Sequence, residues 1–133
     1  MKHMRRLRVL VLLAAILFVL PNIAWAASSG TCGDNLTWTL DDNGLLTISG
    51  AGEMTDFHWS NKLWGTEVID VVIEDGVTSI GDYSFYQCSN LSSVTLPESI
   101  TDIGENAFRE CSCLTSIILP EQVTGIGNGA FYK

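Results

Sequence analysis

From Val77 onward the apolar positions of the chain return every 23 residues. VTSIGDYSFYQCSNLSSVTLPES is followed in register by ITDIGENAFRECSCLTSIILPEQ and then by VTGIGNGAFYK. The apolar set of one copy is Ile80, Phe85, Cys88, Leu91, Val94 and Leu96; the next supplies Ile103, Phe108, Cys111, Leu114, Ile117 and Leu119, and the third Ile126 and Phe131. A period this short predicts a solenoid whose stacked units share one core. An earlier, weaker copy is visible upstream, where Val71 and Ile73 lie one period before Val94 and Leu96, so the stack is expected to run over 67–133.

Within the unit, Leu91-x-x-Val94-x-Leu96 and Leu114-x-x-Ile117-x-Leu119 alternate as strands do, sending Val94 and Leu96 inward and Ser93 and Thr95 outward. Pro97 and Pro120 end the strands, because proline cannot donate to a ladder. Gly81, Gly104 and Gly127 recur as turn residues, and Ala107, Phe108 and Cys111 have the spacing of one inward stripe on a short helical turn. Each rung is therefore expected to read strand, turn, helical turn, which makes the fold class a β-rich α/β solenoid.

The strand pattern is that of leucine-rich repeats, whose period is about 20–29 residues. The full unit x-V-T-x-I-G-x-x-A-F-x-x-C-x-x-L-x-x-I-x-L-P resembles the BspA-like class of bacterial leucine-rich repeats over Val68 to Lys133. It departs from the commonest leucine-rich template at Ser99-Ile100, where that template carries a polar Asn or Cys, and the resemblance includes that departure. What the class implies is a secreted or cell-surface bacterial protein that adheres through its repeats.

Ahead of the repeats, Leu36, Trp38 and Leu40 alternate with Thr37 and Thr39, and Leu46 and Ile48 with Thr47 and Ser49. Asp41-Asp42-Asn43-Gly44 between them supplies turn chemistry, so a β-hairpin is predicted. Solenoid ends need covering, and 27–66 is read as an N-terminal β cap. The stretch also resembles the segment that often precedes such repeats in secreted bacterial proteins.

Charge sharpens the picture at the other end. The whole chain has 7 basic and 15 acidic residues and a net charge of −8. Lys2, Arg5, Arg6 and Arg8 stand directly before an apolar run from Val9 to Leu20, followed by Pro21 and the small-x-small site Ala24-Trp25-Ala26. That is the layout of a secretory signal peptide at 1–26, with cleavage expected after Ala26 and the product secreted or held at the cell surface. A membrane span needs about 20 apolar residues, more than this run provides. The rest keeps Lys62, Arg109 and Lys133 against fifteen acids, a net charge of −12. Nucleic-acid binding draws its affinity from Lys and Arg on phosphates, so no nucleic acid is expected as a partner, and no membrane after cleavage.

No residues form an evident catalytic constellation, and no enzyme activity, cofactor or metal is expected. Cys88 and Cys111 share one rung position and read as stacked buried thiols, although rungs about 5 Å apart lie within the Cα range of a disulfide. Cys111-x-Cys113 lacks the further ligands of a zinc site. His58 reads as a loop histidine beside Asp56 and Trp59. Phe57, Trp59 and Trp64 would serve as a platform for a sugar ring or, the commoner fate of clustered Trp, pack the junction of cap and repeats. Asp41-Asp42-Asn43-Gly44 lacks the distal Glu of a calcium loop.

Outward strand positions form the remaining candidate surface: Ile69, Asp70 and Val72, then Ser92, Ser93 and Thr95, then Thr115, Ser116 and Ile118. They are expected to tile one concave sheet that binds an extracellular protein or glycan. The alternatives are a structural spacer of a larger surface protein, or the repeat region of a surface hydrolase whose catalytic domain is absent from this chain. The copy ending at Lys133 is cut short before its Cys and Leu, so the repeat is read as truncated, the chain as a fragment, and the uncapped last rung as a surface for self-association.

Overall fold

The computed structural model describes residues 28–133, a β-solenoid of about four turns. The proposed leader at 1–26 lies outside the described residues. Three strands open the fold: β1 (Ser28–Gly33), β2 (Leu36–Leu40) and β3 (Leu45–Gly50), paired antiparallel in that order. The β2–β3 hairpin forms because Asp41 closes its turn. Its Oδ1 accepts from the amides of Asn43 and Leu45 at 2.8 and 3.0 Å, while Gly44 takes the left-handed φ of 88° that a side chain would oppose.

The cap does not sit across the end of the solenoid. It continues into it: β3 pairs parallel with β5 (Asp70–Ile73), and β5 with β7 (Ser93–Thr95), giving a five-stranded sheet ordered β1-β2-β3-β5-β7. A second side of each rung forms a parallel sheet from β4 (Gly52–Glu53), β6 (Val77–Ile80), β8 (Asp102–Ile103) and β9 (Gly125–Ile126). The hairpin read from the sequence is present, with β1 as a third strand that the sequence did not signal.

The third side corrects the α/β expectation: there is no helix among the described residues, and 82–87 and 105–110 are runs of turns. Left-handed φ values recur at every fourth residue, 57° at Tyr83 and 58° at Gln87, then 55° at Asn106 and 60° at Glu110. These interrupt the dihedrals a helix requires. Alternate amides reach instead to the neighbouring rung: Tyr83, Phe85 and Gln87 donate to the carbonyls of Glu105, Ala107 and Arg109 at 2.8–2.9 Å. Asn106, Phe108 and Glu110 donate in the same way to Asn128, Ala130 and Tyr132. Hydrogen bonds along the stack thus replace those a helix would make within itself.

Inside, the rings of Trp64, Phe85, Phe108 and Phe131 form one column, with centroids 5.1, 5.2 and 5.5 Å apart and planes within 16° of parallel. Trp38 and Phe57 close its cap end by meeting Trp64 edge-on. Ile80, Cys88, Leu91, Ile103, Cys111 and Leu114 are buried beside the column, and Val94, Leu96, Ile117 and Phe131 are half-buried against it. Leu119 and Ile126, expected in the core, are 38% and 52% exposed. No described rung stacks over them.

Candidate binding surface

Because β-strand residues alternate faces, the register of the first sheet fixes which side chains share its outer surface. Ser29, Thr39, Thr47, Val72 and Thr95 lie in one row across all five strands. Leu45, Asp70 and Ser93 form a second row, and Thr31, Thr37 and Ser49 a third. Asp70 is tied to its neighbour: Ser93 Oγ donates to Asp70 Oδ1 at 2.6 Å. Ile69 stands exposed just before β5, where the Ser92 amide and hydroxyl both donate to its carbonyl. Of the residues singled out from the sequence, Asp70, Val72, Ser93 and Thr95 share these rows, while Ile69 and Ser92 stand one residue ahead of β5 and β7.

Thr115, Ser116 and Ile118 do not extend the ladder. The segment after Leu114 forms no strand, and a groove lined by Val94, Thr95, Leu96, Ile118 and Leu119 opens between it and β7. All three are exposed, Ile118 to 87%. The sheet grows in the other direction, through Ser29, Thr31, Thr37, Thr39, Thr47 and Ser49 of the cap. Their signal was the Thr alternation in the hairpin, read only as an element of the cap.

The second sheet carries an open groove lined by Glu53, Asp56, Asp82, Asp102 and Glu105. Two of these carboxylates are engaged by backbone: Asp56 Oδ1 accepts from the Asp82 amide at 2.9 Å, and Asp82 Oδ1 from the Glu105 amide at 2.7 Å. Among the described residues no group of three His, Cys, Asp or Glu is placed to hold a metal. His58 is exposed and its Nδ1 lies 3.0 Å from the hydroxyl of Ser60 in the same loop. A nucleophile and base need a third group to orient them and a site for substrate; an exposed neighbour two residues away offers neither.

All four cysteines are free thiols, Cys32, Cys88 and Cys111 buried and Cys113 exposed. Cys111 Sγ points at the carbonyl of Phe85 at 3.0 Å and Cys88 Sγ at that of Trp64 at 3.7 Å, so each sulfur faces the preceding rung's backbone, not the other sulfur. Burial pushes the thiol of Cys88 up to about 12 and those of Cys32 and Cys111 to about 11, from an ordinary 9.0. Since the thiolate is the reactive form, the folded chain at pH 8 should titrate one thiol per chain with Ellman's reagent, Cys113, and four in guanidinium. Rapid reaction of a second thiol without denaturant would contradict the packing. The raised values also set a sign: between pH 9 and 12 the unfolded chain has lost thiol protons that the folded one keeps, so stability falls as pH rises through that window.

The aromatic trio near the junction divides. Trp64 is buried and Phe57 half-buried against it at 6.3 Å, whereas Trp59 is 58% exposed beside His58.

This geometry agrees with known proteins. The profile of the BspA-type leucine-rich repeat region, a six-copy unit, matches residues 60–133. The crystal structure of a leucine-rich repeat protein from Eubacterium ventriosum superposes with a TM-score of 0.70 at 32% identity, over 76% of this chain and 28% of that one. That of the leucine-rich repeat protein of T. pallidum gives a TM-score of 0.46 at 18% identity, over 84% of this chain and 66% of that one. No curated protein matches. This chain spans little more than a quarter of the Eubacterium protein's length. Such repeat proteins are typically non-catalytic, and the family is typically one of bacterial surface or secreted proteins. With more than half its length in register with the repeat profile, the chain belongs to the BspA-type leucine-rich repeat family.

Proposed function

We infer that the protein is a secreted or cell-surface module without catalytic activity, which adheres to an extracellular protein or glycan through its repeat surface. The observation that carries this reading is the row Ser29–Thr39–Thr47–Val72–Thr95, an unbroken outward rank shared by cap and repeats. Small side chains let a partner approach such a sheet closely, and extended faces are what solenoids use for recognition. The family's usual station at the bacterial surface and the leader-like 1–26 agree with it.

Thr95→Arg tests it. Thr95 is exposed, so a long cation there should leave the fold intact while standing in the way of a partner. Retention of the purified chain on immobilised laminin-rich basement-membrane matrix should drop at least tenfold, with an unchanged melting curve. Equal retention of parent and variant would remove the face from adhesion, and failure of the parent to bind would favour the spacer reading.

A further inference from the structure

A second surface, away from the sheet face, is made of rings. His58 lies 5.2 Å from Trp59 and 5.9 Å from Tyr83, and Tyr83 meets Tyr86 edge-on at 5.4 Å. Tyr86 shares its repeat position with Arg109 and Tyr132, and the Arg109 guanidinium stands 4.6 Å over the Tyr132 ring. Successive rungs thus present aromatic or guanidinium planes along one band, with Trp59 58% and Tyr132 59% exposed at its two ends and Tyr83 and Tyr86 half-buried between them.

The loop beneath Trp59 is fixed in place. The His58 amide donates to Asn61 Oδ1 at 2.8 Å, the Asn61 amide to the His58 carbonyl at 3.0 Å, and His58 Nδ1 pairs with Ser60 Oγ. The chain holds an indole in water on a rigid support, although Trp64 nearby shows that it can bury one. Single exposed apolar residues need no explanation, but a contiguous band does. Such planes are rigid and amphipathic, so little conformational freedom is lost when a flat partner settles on them. The C–H faces of pyranose rings are flat partners of that kind. Asp56 and Asp82 adjoin the Trp59 end of the band in the chain, Arg109 at the other end is paired with Glu110 at 3.6 Å, and the chain's net charge is −8, so polyanions are repelled overall and an uncharged sugar chain is the fitting occupant.

We propose that the band from Trp59 through Tyr83 and Tyr86 to Tyr132 binds a neutral, unbranched polysaccharide by stacking its sugar rings, independently of the sheet face. Isothermal titration with cellohexaose and with N-acetylated chitohexaose tests this, heparin being the anionic control. At least one neutral hexasaccharide should bind, and heparin should give no heat. Trp59→Ala should weaken binding at least tenfold and Tyr132→Ala about threefold, Trp59→Phe should retain most of it, and Thr95→Arg should leave it unchanged. Melting curves of the Trp59 variants should match the parent, because the ring lies outside the core. The proposal is overturned if neither hexasaccharide binds, if Trp59→Ala binds as the parent does, if heparin binds more tightly, or if Thr95→Arg removes binding, which would assign the sugar to the sheet.

Discussion

Phe85→Ala should cost the fold about 3–5 kcal/mol, the range for deleting a fully buried aromatic ring. The ring has no exposed surface and is held between Trp64 at 5.1 Å and Phe108 at 5.2 Å, so its removal opens a cavity with an aromatic face on either side. Position in the stack raises the cost. A solenoid is stabilised by interfaces between neighbouring rungs, and Phe85 serves two of them: it joins the cap side, through Trp64, to everything after Phe108. Phe131 contributes to one interface and is only half-buried, so Phe131→Ala should cost far less. Urea denaturation followed by circular dichroism measures both. A midpoint shift for Phe85→Ala no larger than that for Phe131→Ala would mean that the column does not couple the rungs.

The column also explains why so much of the fold could be read in advance. A stacked rung repeats its environment at a fixed period, so Phe85, Phe108 and Phe131, or Cys88 and Cys111, had to recur in register. The third side escaped because Ala107, Phe108 and Cys111 have a helical spacing, and spacing cannot distinguish a helical turn from two tight turns that send the same residues inward. One signal was present. The left-handed position held by Tyr83 and Asn106 is occupied by Gly129 in the last copy, and Gly and Asn sharing a site is what a positive φ selects. Strand β1 escaped for another reason: Ser28-Ser29-Gly30-Thr31 has almost no apolar content, and only Cys32 of that strand is buried. For the candidate surfaces, the alternating hydroxyl positions were legible, but the edges were not. Pairing decides where a sheet stops, and here it included the cap and left out Thr115, Ser116 and Ile118. The meeting of His58 with Tyr83 depends on a contact between loops of different rungs, which no periodicity encodes.

Gly104→Ala should be strongly damaging for so conservative a change, with a cost at or above the upper end of the 1–3 kcal/mol typical of overpacking. Gly104 shows no left-handed φ, unlike Gly44; its requirement is space. A Cβ there would lie 2.5 Å from the Asp82 amide nitrogen and 2.7 Å from the carbonyl carbon of Gly81, atoms of the neighbouring backbone that no rotamer change can move. Gly81 stands in the same way against the Thr55 carbonyl and Gly127 against the Glu105 amide, so one glycine per rung admits the approach of the next. Forcing the rungs apart at Gly104 would strain the bond from the Glu105 amide to Asp82 Oδ1 and the parallel pairing of β6 with β8. It would also disturb the pitch on which the Phe85–Phe108 contact depends, so the loss would extend beyond the local clash. Gly65→Ala is the matched control: its Cβ would meet only the ends of Glu67 and Lys62, at 3.3 and 3.7 Å, and both side chains can turn away. That variant should stay within about 0.5 kcal/mol of the parent, as surface changes usually do. If the two alanines shifted the urea midpoint equally, close rung approach would not be what the recurring glycine serves, and the 23-residue period would need another cause for placing it there.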